Sequence, residues 1–151
     1  MATVSVDDRE AVVGRVDVTL TVTNTIDQAR AEAGDIDTAA ARSMTLDGVL
    51  VDTSATFLSL PADVIARLGL RPDRELTIRT AAGPRQSRLF RDAWLSLLGR
   101  EGAFACLELP TGTQPLLGVI PMEALGLEPD LVHQRLRLLP DDSPDSYVTA
   151  L

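Results

Sequence analysis

Asp52 is the residue of this chain best placed to do chemistry. It follows the apolar triplet Val49-Leu50-Val51 and precedes Thr53, Ser54 and Ala55. A carboxylate directly behind a buried apolar strand is costly to ionise unless backbone N–H groups or a partner receive it. Thr, Ser and Ala are small enough for a tight loop whose amides turn toward that carboxylate, and short polar residues favour turns. The Thr53 hydroxyl can bond inward or across a two-fold axis.

The other candidates carry less. Asp37-Thr38-Ala39 begins alike, but no apolar strand precedes it, and Asp142-Ser143-Pro144 sits in a polar tail. His133 is the only histidine and no G-x-S-x-G elbow exists, so it reads as a surface or interface residue. Cys106, the only cysteine, allows neither an intrachain disulfide nor a zinc cluster, and within Ala103–Leu109 it reads as core filling. Trp94 begins an apolar strand and reads as core or groove wall. Asp7, Asp8, Asp141 and Asp142 lie near the chain ends, where solvation accounts for them. Neither a metal nor a cofactor is expected.

The elements that would position Asp52 are mostly short strands. Val12–Asn24 alternates from Val16 through Val22 and is rich in β-branched residues, as in a half-buried strand. Ile26–Arg42 is Ala-rich with Gly34 in its middle and reads as a mixed helix and loop insertion at the surface. Met44–Val51 is a strand leading into the Asp52 turn. Pro61 opens a helix over Pro61–Leu68 that Gly69 ends. Leu76–Thr80 and Gln86–Phe90 flank a hairpin turn, Ala81-Ala82-Gly83-Pro84-Arg85. Ala93–Leu98 and Ala103–Leu109 form a second pair around Gly99–Gly102. Pro115-Leu116-Leu117-Gly118 is a buried strand, Pro121–Leu125 a short helix stopped by Gly126, and Leu131–Leu139 a last strand. An apolar strand, a small-residue corner, a Pro-initiated helix and Leu-Gly-Leu thus occur twice, over Val49–Gly69 and Leu116–Gly126.

Strands with one or two short helices predict a mainly β domain, closed or folded on itself, and not alternating βαβ units. At 151 residues the chain fits one domain. Apolar residues make up 45% but aromatics only 3%, so the core is built from aliphatic side chains. The formal net charge of −8, with every basic residue an arginine, argues against nucleic acid, which needs clustered cations. Neither a signal peptide nor an apolar run of the roughly 18 residues that span a bilayer is visible, so a cytoplasmic location without membrane contact is expected.

Leu50-Val51-Asp52-Thr53-Ser54-Ala55-Thr56, followed by Leu60-Pro61 and Arg67-Leu68-Gly69-Leu70, resembles the retropepsin-like aspartic proteases, the single-lobe relatives of pepsin, and their small bacterial members most closely. The family signature is two or three hydrophobic residues before Asp-Thr-Gly (or Ser)-Ala. Its second part, two hydrophobic residues before a glycine, matches Leu116-Leu117-Gly118, with Ala124-Leu125-Gly126-Leu127 after it. The resemblance covers roughly Arg15 to Pro140 of a single domain spanning 1–151, with a flexible N-terminus and a polar C-terminal tail. Ser54 stands where glycine is commoner; its N–H can still reach the carboxylate, but its Cβ needs space and a permitted backbone angle.

The resemblance implies a closed acid-protease-like β-barrel lobe acting as a C2 homodimer. Asp52 would be the catalytic residue, Thr53, Ser54 and Ala55 its loop, and Leu116, Leu117 and Gly118 the supporting corner. Ala81, Ala82, Gly83 and Pro84 fall at the family's flap position, over a peptide substrate. One motif per chain demands a second chain, so two Asp52 carboxylates would share one proton and activate water for peptide-bond hydrolysis. The alternative is the same dimer, catalytically weak or inactive, holding a peptide or another protein.

Overall fold

The structure is a computed structural model and describes residues 14–140. Val12, Val13 and the acids near both chain ends, including Asp142, lie outside the described residues, as do the expected flexible N-terminus and polar tail.

Alternation in the first strand, β1 (Asp17–Asn24), buries Leu20 and Val22 and turns the intervening threonines outward. Thr21 and Thr23 meet the hydroxyls of Thr45 (3.0 Å) and Ser43 (2.9 Å) on β2 (Ser43–Val51), the antiparallel neighbour. Between them lies the insertion, as expected a helix, α1 (Thr25–Glu32), with a loop and the 3₁₀ turn Thr38–Ala40. It does more than cover surface. Asn24 Oδ1 caps α1 by accepting from the Asp27 N–H at 3.0 Å. The buried Asp27 carboxylate accepts from Arg42 Nε (2.7 Å), Arg42 Nη2 (3.1 Å) and the Arg42 backbone N–H (3.0 Å). These bonds, the side-chain ones foremost, hold the Asp27 carboxyl down to about 2, from an ordinary value of 3.8.

After the Asp52 turn, β3 (Leu58–Pro61) is buried at all four positions. Pro61 caps α2 (Ala62–Leu68), and Gly69 closes it in the left-handed conformation (φ 64°) that lacks a Cβ penalty. The long hairpin β4 (Arg71–Thr80) and β5 (Gly83–Leu97) follows, then β6 (Arg100–Leu109) and the two-residue β7 (Leu116–Leu117). Next come α3 (Val119–Leu125), closed by Gly126 (φ 68°), and the hairpin of β8 (Leu127–Asp130) with β9 (Arg135–Leu138).

Seven strands form one sheet in the order β1-β2-β7-β3-β6-β5-β4, and β1 also pairs with β5. The extra pairing, from Thr21 opposite Ser96 to Asn24 opposite Ala93, closes six strands into a ring and leaves β4 outside as an edge. That edge carries Arg71, Pro72, Asp73, Arg74 and Glu75, all exposed, which blunts it against pairing with other strands. Inside the ring the core is aliphatic, with Leu20, Leu58, Leu60, Ile65, Leu68, Leu95 and Leu117 almost fully buried. Each such leucine contributes roughly 2 kcal/mol by leaving water. Among the described residues no helix is long and apolar enough to cross a membrane.

The chain is mainly β, with several differences from the expectation: β3 was not foreseen, and β4 begins at Arg71 where Leu76 was expected. The expected strands Gln86–Phe90 and Ala93–Leu98 are one strand, β5; Arg91 and Asp92 form a bulge, with Asp92 at φ 77° tied by Arg71 Nε at 2.6 Å. The turn expected at Gly99–Gly102 is the two-residue turn Leu98-Gly99, both at positive φ, so β6 starts earlier. Leu131–Gln134 is a turn and not strand, while Leu127–Asp130, unforeseen, is the hairpin partner of Arg135–Leu138. With α1 the described residues hold three α-helices where one or two were expected.

Candidate active site

β2 carries its apolar end, Val49-Leu50-Val51, parallel to β7, with Leu50 opposite Leu116 and Val51 opposite Leu117. β7 is also hydrogen-bonded to β3 through Ser59 and Leu116. A strand from late in the chain is therefore wedged between two strands that are consecutive in sequence. The segment joining those two, Asp52–Phe57, must arch over the wedge, and this arch places Asp52.

The Asp52 N–H donates to the Leu117 carbonyl at 3.0 Å, and the Ala55 N–H closes the turn on the Asp52 carbonyl at 3.0 Å. Asp52 Oδ1 accepts from the Ser54 N–H at 2.9 Å and from Ser54 Oγ at 2.5 Å. Asp52 Oδ2 accepts no hydrogen bond from the described residues, and the side chain is half-buried. Ser54 does not adopt positive φ, so its Cβ is accommodated without backbone strain and its hydroxyl adds a second donor to Oδ1. Thr53 is exposed and Ala55 half-buried.

Gly118 holds the arch from below. The Val119 and Ile120 N–H groups donate to the Ala55 and Thr56 carbonyls at 2.9 and 3.0 Å. A Cβ on Gly118 would stand 2.5 Å from the Phe57 carbonyl oxygen and 2.7 Å from that of Ala55, closer than real contacts allow. The expected corner Leu116-Leu117-Gly118 thus touches the Asp52 loop directly, and glycine is required there by space, its φ being an ordinary −96°.

Asp52 lines a cleft of about 770 Å³ with Ser54, Ala55, Thr56 and Phe57. It is lined further by Ser59, Leu107, Leu109 and Leu116 and by the hairpin arms, Leu76–Thr80 and Arg85. The hairpin expected to be a flap contributes its arms to the lining of this cleft. Its tip, Ala81, Ala82, Gly83 and Pro84, does not line it; the tip is stiffened by Thr80 Oγ1, which donates to the Gly83 carbonyl at 2.7 Å. The arms, expected only as strands, line the cleft in place of the tip; Leu76 and Ile78, alternating with Thr77, carry the signal of a one-faced apolar strand.

The remaining candidates are apart from the cleft. Asp37 is exposed beside the 3₁₀ turn and makes no cap. His133 is exposed in the β8–β9 turn, its Nδ1 2.8 Å from Asp130 Oδ2, and this contact lowers the Asp130 carboxyl. Trp94 walls a separate depression of about 450 Å³ under α1 and donates Nε1–H to Glu101 at 2.7 Å. Cys106 is fully buried in β6, and burial pushes its thiol far up. Among the described residues no cluster of three His, Cys, Asp or Glu could hold a metal ion. No protein-family model matches the chain, and no curated protein is significantly similar to it.

Proposed function

We propose that the protein is an aspartic endopeptidase of the retropepsin-like type. Two acid-protease lobes would join about a two-fold axis that brings their Asp52 carboxylates together. The observation that carries the reading is the position of Asp52, on a glycine-supported arch in a cleft that the arms of a β-hairpin also line. The loop leaves Oδ2 without a partner among the described residues, as a side chain that meets its twin requires. Two carboxylates about 3 Å apart cannot both ionise and so share a proton. One takes a proton from water while the other donates to the peptide carbonyl, and the water attacks. The open edges of the hairpin and the cleft's apolar walls suit an extended peptide.

Ser54 favours a second reading. Its hydroxyl lies 2.5 Å from Oδ1, a strong charge-assisted contact that competes for the lone pair a productive pair would use. The same dimer would then hold peptides without cutting them. A turnover assay on an unfolded polypeptide, from acidic to neutral pH, separates the two. Peptidase activity that Asp52→Asn abolishes is the expected result; binding without product at every pH selects the second reading. Cleavage undiminished in the Asp52→Asn protein overturns the proposed mechanism.

A further inference from the structure

The β4–β5 hairpin is charged against the grain of the molecule. The chain has a net charge of −8, yet residues 71–92 hold six arginines and only three acids. Three of the arginines are committed: Arg71 to Asp92 at 2.6 Å, Arg91 to Asp73 at 2.9 Å and Arg88 to Glu108 at 2.8 Å. Glu75, the remaining acid, stands opposite Arg88 in the register. Arg79 and Arg85 have no ion-pair partner among the described residues, and both line the Asp52 cleft. Among the described residues Asp52 is the only acid that lines it.

We infer that the cleft selects acidic peptides, with Arg79 and Arg85 as the specificity-determining side chains; this deepens the peptide-cleft reading and rests on it. The occupant is an extended segment with apolar residues against Leu76, Ile78 and Leu107 and an Asp or Glu placed to reach a guanidinium. Arginine suits the task because its planar fork binds a carboxylate through two parallel hydrogen bonds and stays charged at every working pH. The partly enclosed cleft screens such a pair less than open solvent does. Basic peptides are rejected by the same two charges. The excess of arginine makes the hairpin a local attractor for negative segments, and the acidity of the rest of the chain keeps them off its other surfaces.

The test uses peptides with one apolar centre and Asp, Asn or Lys at the flanking position. Cleavage is followed with quenched-fluorophore versions, and binding by the anisotropy of dye-labelled versions on the Asp52→Asn protein. The Asp peptide should be favoured over the Asn peptide by up to about five-fold, the factor one exposed ion pair supports. The preference should shrink in high salt. It should vanish in Arg79→Gln/Arg85→Gln and turn toward Lys in Arg79→Glu/Arg85→Glu, with circular dichroism reporting that each variant is folded. The Gln pair, which adds no new charge, tests the inference if the Glu pair does not fold. Equal handling of all three peptides, a Lys preference in the natural protein, or an order that both arginine variants keep would overturn it. Acidic peptides bound but never cut would leave this inference standing and sink the peptidase reading. Cutting without regard to charge would do the reverse.

Discussion

The corner over Val49–Leu70 and the corner over Leu116–Leu127 are built on one plan and end in different chemistry. Each begins with an apolar strand end, and the two strand ends pair in parallel, Leu50 beside Leu116 and Val51 beside Leu117. Each ends in a seven-residue helix closed by a left-handed glycine, Gly69 or Gly126, followed by leucine. Each glycine corner has a side chain laid across it that donates to the last carbonyls. Asn24 Nδ2 bonds the Leu68 and Gly69 oxygens at 2.9 and 3.2 Å, and Arg100 Nη1 bonds those of Leu125 and Gly126 at 2.8 and 2.9 Å. The difference lies at the residue directly after the paired strands. In the first corner it is Asp52, and in the second it is Gly118, whose missing side chain makes room for the Ala55 and Phe57 carbonyls. One copy of the plan presents an acid and the other supports it. On the proposed reading, a chain that has spent its second corner on support obtains the second acid from another chain.

The comparison breaks most severely at Gly118. Gly118→Ala puts a methyl into backbone that cannot yield without moving the Asp52 arch. It should cost about 3 kcal/mol in urea unfolding, and any turnover should be lost with it. A variant of full stability and activity would mean the second corner does not hold the first.

A smaller effect is expected at the clamp on the first corner. Arg42 joins Asp27 to the Gly69 turn, where a Cβ would strike its guanidinium. The Asp27 carboxyl is held at about 2, below its ordinary 3.8, so the stability it supplies is present above the ordinary value and lost as pH falls through about 2. Asp27→Asn should be less stable by about 2 kcal/mol near neutral pH. The gap to the natural protein should narrow on acidification between those two values and stay constant above them. A gap that does not change with pH would show that the clamp is not ionic.

The smallest effect belongs to the second corner's clamp. Arg100 is half-buried and bonds neutral carbonyls instead of a carboxylate, so Arg100→Ala should lower stability by about 1 kcal/mol and leave any Asp52 chemistry unchanged. A loss equal to that at Asp27 would remove the asymmetry between the corners.

Both corners were legible in the sequence because their signals are local. Hydrophobic residues before a small-residue turn, proline before a helix and glycine after it are readable within a few positions, and the Asp52 loop, α2 with Gly69, and Leu116-Leu117-Gly118 all lie where such signals place them. What joins the corners is not local. Nothing near Leu116 indicates that it enters between β2 and β3, or that Thr21 pairs with Ser96 to close the ring. β5 reads as two pieces because Arg91-Asp92 interrupts its alternation at the bulge. β8 hides behind Pro129 and two acids, a composition poor in strand signal. The role of Asp27 and Arg42 was hidden too, since an ion pair between residues 15 apart in an Ala-rich insertion looks like ordinary surface charge.

The central claim is that each working site takes one Asp52 from each of two chains. Natural and Asp52→Asn proteins, mixed in equal amounts and left to exchange subunits, test it at constant total concentration. A shared pair of carboxylates leaves about one quarter of the peptide-cleaving rate of the unmixed natural protein, because only dimers with two natural chains work. A mixture that keeps about one half would mean that every chain cuts on its own, and the two-chain site would be contradicted.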